Sequence, residues 1–182
     1  MSKLVRIKHI QDYDKVCYYS VCINQDANSI DKSVSLFDSF IKELETTENE
    51  KLNHILAWIK EIGNKYGAKE YFFRNEQNQG EAMGLPPNNI GIEPVYTDNG
   101  EIAPNNLRLY CHRLNENVVI LMSGGLKTAD TPQNCPNVKS HFELANKLTI
   151  VLDNAFREKD IIWIDDFCDI DYSDNLTLYL EE

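Results

Sequence analysis

Apolar residues recur along the chain at two spacings, one typical of strands and the other typical of helices. KVCYYSVCIN, residues 15–24, is rich in valine, isoleucine and tyrosine and ends at the turn-like QDANS, which predicts a strand. VRIKHI before it predicts a further short strand. In residues 33–45, and again in KLNHILAWIKEIGNKYG, apolar residues recur at helical spacing, which predicts two helices, the second with Gly67 as its C-cap. The sequence therefore predicts an early strand followed by a helical hairpin.

A short aromatic segment and a long segment rich in proline and glycine follow the two helices. KEYFFR, residues 69–74, predicts a strand. Residues 75–105 contain most of the prolines and half of the glycines of the chain. Loops of this length are usually functional or flexible, so we interpret residues 75–105 as a long ordered loop or an insertion.

The clearest pattern is a β-hairpin in the second half of the chain. Residues 107–114 and 118–122 are strand-like, and the turn Asn115-Glu116-Asn117 joins them. Gly124-Gly125 then predicts a bulge or bend before Lys127. A helix is predicted to follow, starting at Thr131-Pro132 or, alternatively, at a capping box formed by Ser140 and Glu143. Its inner stripe is Val138, Phe142, Ala145, Leu148, Leu152, Ala155 and Phe156.

These elements predict an α+β fold, with a small antiparallel sheet packed on the N-terminal helical hairpin. A further helix is expected after the central β-hairpin, and an acidic strand extension at the C-terminus. We expect one domain over residues 1–157, with the insertion at 75–105, and an extension over residues 158–182.

The negative charge of the chain is concentrated near its C-terminus. The formal net charge is -11, of which residues 153–182 contribute -8 and the rest of the chain contributes -3. This acidity disfavours non-specific nucleic-acid binding, because neutralising phosphates requires lysine and arginine. It says little about a local basic site on the body of the protein.

The cysteines and the apolar segments indicate a soluble, cytoplasmic protein. The five cysteines are odd in number and include no CxxC pair, so we expect reduced thiols and no zinc site. The N-terminal segment MSKLVRIKHI has no apolar signal core, and no apolar run approaches the roughly 20 residues of a membrane span. We expect no membrane association.

The candidate chemistry lies on the first strand of the β-hairpin. Residues two apart share a face of a strand, so Arg108, Tyr110 and His112 are expected on the face opposite Leu107 and its apolar partners. Arginine can bind a phosphate, histidine can transfer a proton near neutral pH, and tyrosine can stack on a base or donate its hydroxyl proton. Together with Lys127, these residues would suit RNA cleavage without a metal.

Simpler interpretations stand beside this one. The exposed face of an antiparallel sheet is polar in any case, so the spacing of the three side chains does not by itself indicate a site. Arg113 has the parity of the apolar face unless a bulge turns it. His9 has no predicted partner, His54 is expected at the surface or boundary of its helix, and His141 is expected to cap its helix or face solvent. Cys111 is more typical of a buried apolar residue than of a nucleophile.

The segment LRLYCHRLNENVVILMSGGLKTADTP, running into HFELANKL, resembles the RelE/HigB-like toxin superfamily, in particular its phage-derived HigB-like branch. The resemblance implies a small sheet-and-helix domain that cleaves mRNA, often on the ribosome, and that a helix-turn-helix antitoxin neutralises. By position, Arg108, Arg113 and Lys127 match the family's basic residues. This chain is longer and more acidic than such toxins usually are.

Two functional hypotheses follow. In the first, the protein is a toxin-like mRNA endoribonuclease that needs neither metal nor cofactor. Its predicted catalytic residues are Arg108, Tyr110, His112 and Lys127, and its predicted RNA-binding residues are Arg113, Arg74 and Lys69. In the second, the protein is a non-catalytic binding protein of the same fold that pairs with a helix-turn-helix regulator.

Overall fold

The computed structural model describes residues 2–24, 34–76, 82–88, 90, 95–98, 100–128 and 134–182. The strands of these residues are β1 (Lys3–Asp12), β2 (Cys17–Asn24), β3 (Arg74–Asn75), β4 (Met83–Leu85), β5 (Val95–Asp98), β6 (Glu101–Pro104), β7 (Leu107–Arg113), β8 (Val118–Leu126), β9 (Ile161–Ile164), β10 (Asp169–Tyr172) and β11 (Leu178–Leu180). The helices are α1 (Leu36–Leu44), α2 (Asn49–Glu61) and α3 (Pro136–Arg157). A π-helical turn (Ile62–Tyr66) and a 3₁₀ turn (Glu70–Phe72) follow α2.

Seven strands form one mixed sheet in the order β11-β1-β2-β8-β7-β4-β3. Strands β2 and β8 pair in parallel over residues 17–19 and 118–120, and the other neighbours in this sheet pair antiparallel. A parallel pair requires a crossover, and the chain between β2 and β8 supplies it with α1, α2 and strands β3 to β7. The strand pairs β5–β6 and β9–β10 form two further, two-stranded sheets.

The expected small antiparallel sheet on an N-terminal helical hairpin is wrong. Strands β1 and β2 precede the helices, and the sheet is seven-stranded and mixed. The reason lies in strands such as β8, whose first seven residues are all buried. A strand that is apolar without alternation is covered on both faces, so this sheet needs a helical layer on each side.

Each face of the sheet has its own core. Helices α1 and α2 cover the face that carries Leu107, Leu109 and Cys111 of β7. Helix α3 covers the opposite face, to which Tyr110 belongs. The strand parity predicted for β7 is therefore correct, but the face of Arg108, Tyr110 and His112 lies under a helix and is not open to solvent.

The C-terminal residues complete both the sheet and the core. Strand β11 pairs with β1 at the edge of the sheet, with Leu4 opposite Tyr179. Ile161 and Ile170 of the β9–β10 pair, together with Leu178 and Leu180 of β11, are buried in the α3-side core. The segment predicted as an acidic extension therefore contributes apolar residues to the same core as residues 1–157.

Local elements agree with the sequence in some places and differ in others. The β-hairpin is confirmed as β7 and β8, and Gly67 is confirmed as a cap, with a φ of 77° after the π-helical turn. The strand predicted at residues 69–74 is instead mainly the 3₁₀ turn. Part of the expected insertion, β4, pairs with β7 in the main sheet.

The start of α3 differs from both predicted starts. Thr131 and Pro132 lie outside the described residues. Ser140 and Glu143 lie inside the helix, which begins at Pro136 with Cys135 as its N-cap. In the part of the chain that the structure describes, no helix is long and apolar enough to cross a membrane.

Candidate functional site

A largely buried group of charged side chains lies on one side of the sheet, from the end of β3 past Gly84 of β4 to β7 and the end of β8. The Glu76 carboxylate follows β3, and its Oε2 lies 3.0 Å from Lys127 Nζ. Its Oε1 lies 3.5 Å from Arg108 Nε. Glu76 is 6% exposed and Arg108 is 8% exposed, so this carboxylate and guanidinium are held away from bulk water, and the Lys127 side chain is 14% exposed. We call Glu76, Arg108, Lys127 and the neighbouring Tyr110 the Glu76 group.

The β-hairpin backbone positions the two cations. Arg108 lies opposite Gly125 in the β7–β8 ladder, and Lys127 continues the ladder by donating its N–H to the Asn106 carbonyl at 2.8 Å. A Cβ on Gly124 would lie 1.7 Å from the Arg108 carbonyl oxygen, so only glycine allows this approach of β8 to β7. The Gly-Gly pair therefore has a structural role in placing Arg108.

Arg108 is held in place by the backbone next to it. Its Nη1 donates to the carbonyl oxygens of Asn105, at 2.8 Å, and Leu107, at 3.1 Å. These bonds keep the guanidinium close to the start of β7, with Nε towards Glu76. Fixing a side chain in this way reduces the entropy that it would otherwise lose on binding a ligand.

Tyr110 lies on the same face as Arg108 and is fully buried. Its ring packs on Phe142 of α3, with the ring centroids 5.2 Å apart. Burial raises the pKa of the Tyr110 hydroxyl, and the nearby Glu76 carboxylate raises that pKa further. The hydroxyl therefore keeps its proton at neutral pH.

Buried polar atoms on Glu76 and Tyr110 make no hydrogen bond within the described part of the protein, although Glu76 Oε1 also faces Arg108 Nε at 3.5 Å. They are Oε1 of Glu76, which can accept, and the hydroxyl oxygen of Tyr110, which can donate. Gly84 lies opposite Tyr110 in β4, and a Cβ there would lie 3.6 Å from Glu76 Oε1 and 3.8 Å from the Tyr110 ring. Buried polar atoms nearly always have partners, so an unsatisfied acceptor and donor in one group call for an explanation.

His112 is outside this group. Its Nε2 lies 2.8 Å from Asp153 Oδ1 of α3, and the histidine side chain is 10% exposed. It lies four residues after Arg108, which corresponds to roughly 13 Å along β7. The structure therefore does not bring His112 and Arg108 onto one phosphate.

The three predicted RNA-binding residues are dispersed. Arg113 donates from Nε to the Ala68 carbonyl, and Lys69 forms an exposed ion pair with Glu116 at 2.8 Å. Both lie at the turn end of the β-hairpin, away from Arg108. Arg74 is nearer the Glu76 group, in β3, where its Nε donates to the Pro86 carbonyl at 2.7 Å.

Cys135 lies at the N-terminus of α3 and contacts Thr128, the residue after Lys127. Its Sγ accepts the Thr128 N–H at 3.1 Å and lies 3.4 Å from the Thr128 hydroxyl. Burial acts to raise the pKa of the thiol. Hydrogen bonds from Thr128 and from the first backbone N–H groups of α3 outweigh burial and lower the pKa to about 7.

Sequence reasoning missed both Glu76 and Cys135. Glu76 falls at the start of residues 75–105, which the prolines and glycines indicated to be an insertion. One signal was available, because an arginine on a strand covered on both faces requires a carboxylate nearby. Cys135 directly precedes Pro136, and proline is common at the first position of a helix, which would have indicated its N-cap position.

The remaining described surface offers other features. A cavity of about 340 Å³ lies at the turn end of the β-hairpin, lined among others by Tyr13, Lys15, Lys69 and Glu116. In the described ranges, no three His, Cys, Asp or Glu side chains are arranged to hold a metal ion.

No protein-family model, no curated protein and no solved structure matches this chain. The resemblance to the RelE/HigB-like toxins therefore stays a prediction that depends on the residues of the β-hairpin.

Proposed function

We propose that the protein is a toxin-like endoribonuclease that cleaves mRNA without a metal ion, and that the Glu76 group is its site. The observation that best supports the proposal is that Oε1 of Glu76 and the hydroxyl of Tyr110 are buried together with no hydrogen-bond partner among the residues that the structure describes. One is an acceptor and the other a donor. A base and an acid are what RNA cleavage by its own 2′-hydroxyl requires.

The four side chains would divide the chemistry as follows. Glu76 accepts the proton of the 2′-hydroxyl while the 2′ oxygen bonds to phosphorus. The bond from phosphorus to the 5′ oxygen breaks, and Tyr110 donates a proton to that leaving oxygen. Arg108 and Lys127 stabilise the charge on the phosphate. The products are a 2′,3′-cyclic phosphate and a 5′-hydroxyl, and His112 has no direct part.

The burial of the Glu76 group has two consequences for this proposal. Charges act more strongly on a phosphate in a water-poor site than at a surface. Glu76 and Arg108 are both more than nine-tenths buried, so RNA can contact them only after the residues that bury them move. We therefore expect slow cleavage of free RNA. The resemblance to the toxin family further implies faster cleavage of mRNA on the ribosome and a helix-turn-helix antitoxin as the neutralising partner.

Inducible expression tests the proposal. We expect growth arrest and cleaved transcripts with the wild type, and neither with Lys127→Met at equal expression. Lys8→Met is the matched control, because Lys8 forms an exposed ion pair with Asp38 on another part of the molecule. It is expected to arrest growth as the wild type does. Arrest by Lys127→Met as well would contradict the assignment of the site.

The second candidate is a non-catalytic binding protein that pairs with a helix-turn-helix regulator. The burial of Glu76 and Arg108 favours it, because buried ion pairs also occur as structural elements. A wild type that neither arrests growth nor cleaves RNA, yet co-purifies with such a regulator, would establish this candidate and reject the first.

A further inference from the structure

A row of aromatic rings runs from the end of α3 to the tip of the β9–β10 hairpin. Phe156 stacks on Trp163 with centroids 5.2 Å apart, and Trp163 contacts Phe167 with centroids 5.8 Å apart. Phe156 and Trp163 are half-buried against the α3-side core. Phe167 ends the row and is 61% exposed. The row therefore presents an apolar ring to solvent at the tip of a hairpin.

The backbone at this tip is strained. Asp165, Asp166 and Phe167 have φ values of 53°, 55° and 65°, in the left-handed region that side-chain-bearing residues rarely occupy. Each such residue costs roughly 1–2 kcal/mol, although aspartate tolerates the conformation better than phenylalanine. The Phe167 carbonyl accepts from the side-chain amides of Asn115, at 2.8 Å, and Asn117, at 3.3 Å, which holds the turn against the β7–β8 turn.

The outer part of the row lies in an acidic segment, whereas Arg157 and Lys159 follow Phe156 at its inner end. Residues 160–175 include six aspartates and no lysine or arginine. Asp165 and Asp166 are exposed next to Phe167. Asp169 is engaged by the Tyr19 hydroxyl, at 2.5 Å, which ties the hairpin to β2. The exposed surface at the tip therefore combines aromatic rings with carboxylates. No lysine or arginine lies within the same segment, residues 160–175.

We propose that this aromatic-acidic tip, formed by Trp163, Asp165, Asp166 and Phe167, binds a basic segment of a partner protein. An arginine or lysine side chain of the partner lies over the Phe167 and Trp163 rings, and neighbouring cations face the two aspartates. Aromatic faces and carboxylates both attract cations, so the two features of the tip select the same partner chemistry. Single-stranded nucleic acid also stacks on aromatic rings, but its phosphates are repelled by the aspartates.

The experiment measures binding of the full-length protein to a fluorescently labelled peptide of alternating arginine and serine residues. The peptide with glutamate in place of arginine is the ligand control. We expect Phe167→Ala, which keeps the net charge, to weaken binding by about fivefold, the equivalent of one cation–π contact. The double variant Asp165→Asn, Asp166→Asn should weaken binding at least as much. It keeps the turn, because asparagine also tolerates the left-handed conformation.

Matched variants elsewhere on the surface make the result specific. Tyr71 is 65% exposed and serves as the aromatic control through Tyr71→Ala. The double variant Glu45→Gln, Glu61→Gln removes two exposed carboxylates at the ends of α1 and α2. We expect both controls to bind the arginine peptide as the wild type does. The proposal is overturned if Phe167→Ala binds like the wild type, if the control variants weaken binding equally, or if labelled single-stranded RNA binds the tip in place of the peptide.

Discussion

The two ends of the β7–β8 hairpin carry ion pairs of similar length in different surroundings. At the strand end, Lys127 Nζ lies 3.0 Å from Glu76 Oε2, with side-chain exposures of 14% and 6%. At the turn end, Lys69 Nζ lies 2.8 Å from Glu116 Oε2, with exposures of 38% and 54%. The pairs cannot be ranked by distance. Burial distinguishes them, because water screens the charges of one pair and is nearly excluded from the other.

This difference decides where chemistry is expected. An exposed lysine-glutamate pair contributes little and is equally typical of any solvated surface. A buried carboxylate between two cations is costly to desolvate, so the structure around it must supply compensating contacts. The Glu76 group also contains an acceptor and a donor without described partners, and the turn-end pair is open to water.

The largest expected effect is on stability, when the carboxylate of each end is neutralised in turn. Glu76→Gln leaves Arg108 and Lys127 buried without the charge between them, so we expect the free energy of unfolding to fall by about 3–5 kcal/mol. Glu116→Gln should leave it unchanged within error. Denaturant unfolding of both variants checks this prediction. Equal stability of the two variants would remove the distinction between the two ends.

A smaller effect is expected when the lysines are replaced. Lys127→Met keeps the apolar stem but removes a charged hydrogen bond to Glu76, which typically contributes about 1.5–3 kcal/mol. Lys69→Met should not change the unfolding free energy measurably, because its partner is in water. Thermal unfolding under the same conditions compares the two. A loss for Lys69→Met as large as that for Lys127→Met would show that burial does not set the strength of these pairs.

The smallest effect is expected for the ionisation of Cys135, whose thiol contacts Thr128 next to Lys127 at the buried end of the β-hairpin. Its pKa is lowered from 9.0 to about 7, so the folded state favours the thiolate. The resulting stabilisation is complete above pH 9 and is lost as the pH falls through about 7. We expect a thiolate absorbance step near pH 7 that is missing in Cys135→Ala. If the wild type shows no step below pH 9, the hydrogen bonds from Thr128 and α3 do not hold a thiolate.

The β7–β8 hairpin shows what sequence patterns could predict. Alternation placed Arg108, Tyr110 and His112 on one face, and the structure agrees, because the side-chain period of a strand does not depend on distant contacts. Distant contacts do determine which face of β7 is exposed to solvent. The sequence of β7 alternates, yet α3 packs over the polar side chains, and that packing arises from residues 136–157 rather than from the strand itself.

The candidate site was predictable only in part, for the same reason. Arg108 and Lys127 were identified by residue type and by the bend at Gly124-Gly125. Glu76 joins them through the pairing of β3 with β4 and of β4 with β7, short strands whose register no local pattern indicates. No local pattern indicates the parallel pairing of β2 with β8 either, since it joins residues about a hundred positions apart in the chain.

The measurement that tests the central claim most directly is the cleavage of mRNA by Tyr110→Phe in a reconstituted translation system. The Tyr110 hydroxyl makes no hydrogen bond with the described residues, so we expect the variant to unfold at the wild-type temperature or above it. We predict that cleavage nevertheless falls by about 100-fold or more, the usual contribution of a general acid. Cleavage by Tyr110→Phe at the wild-type rate, or no cleavage by the wild type itself, would contradict the account.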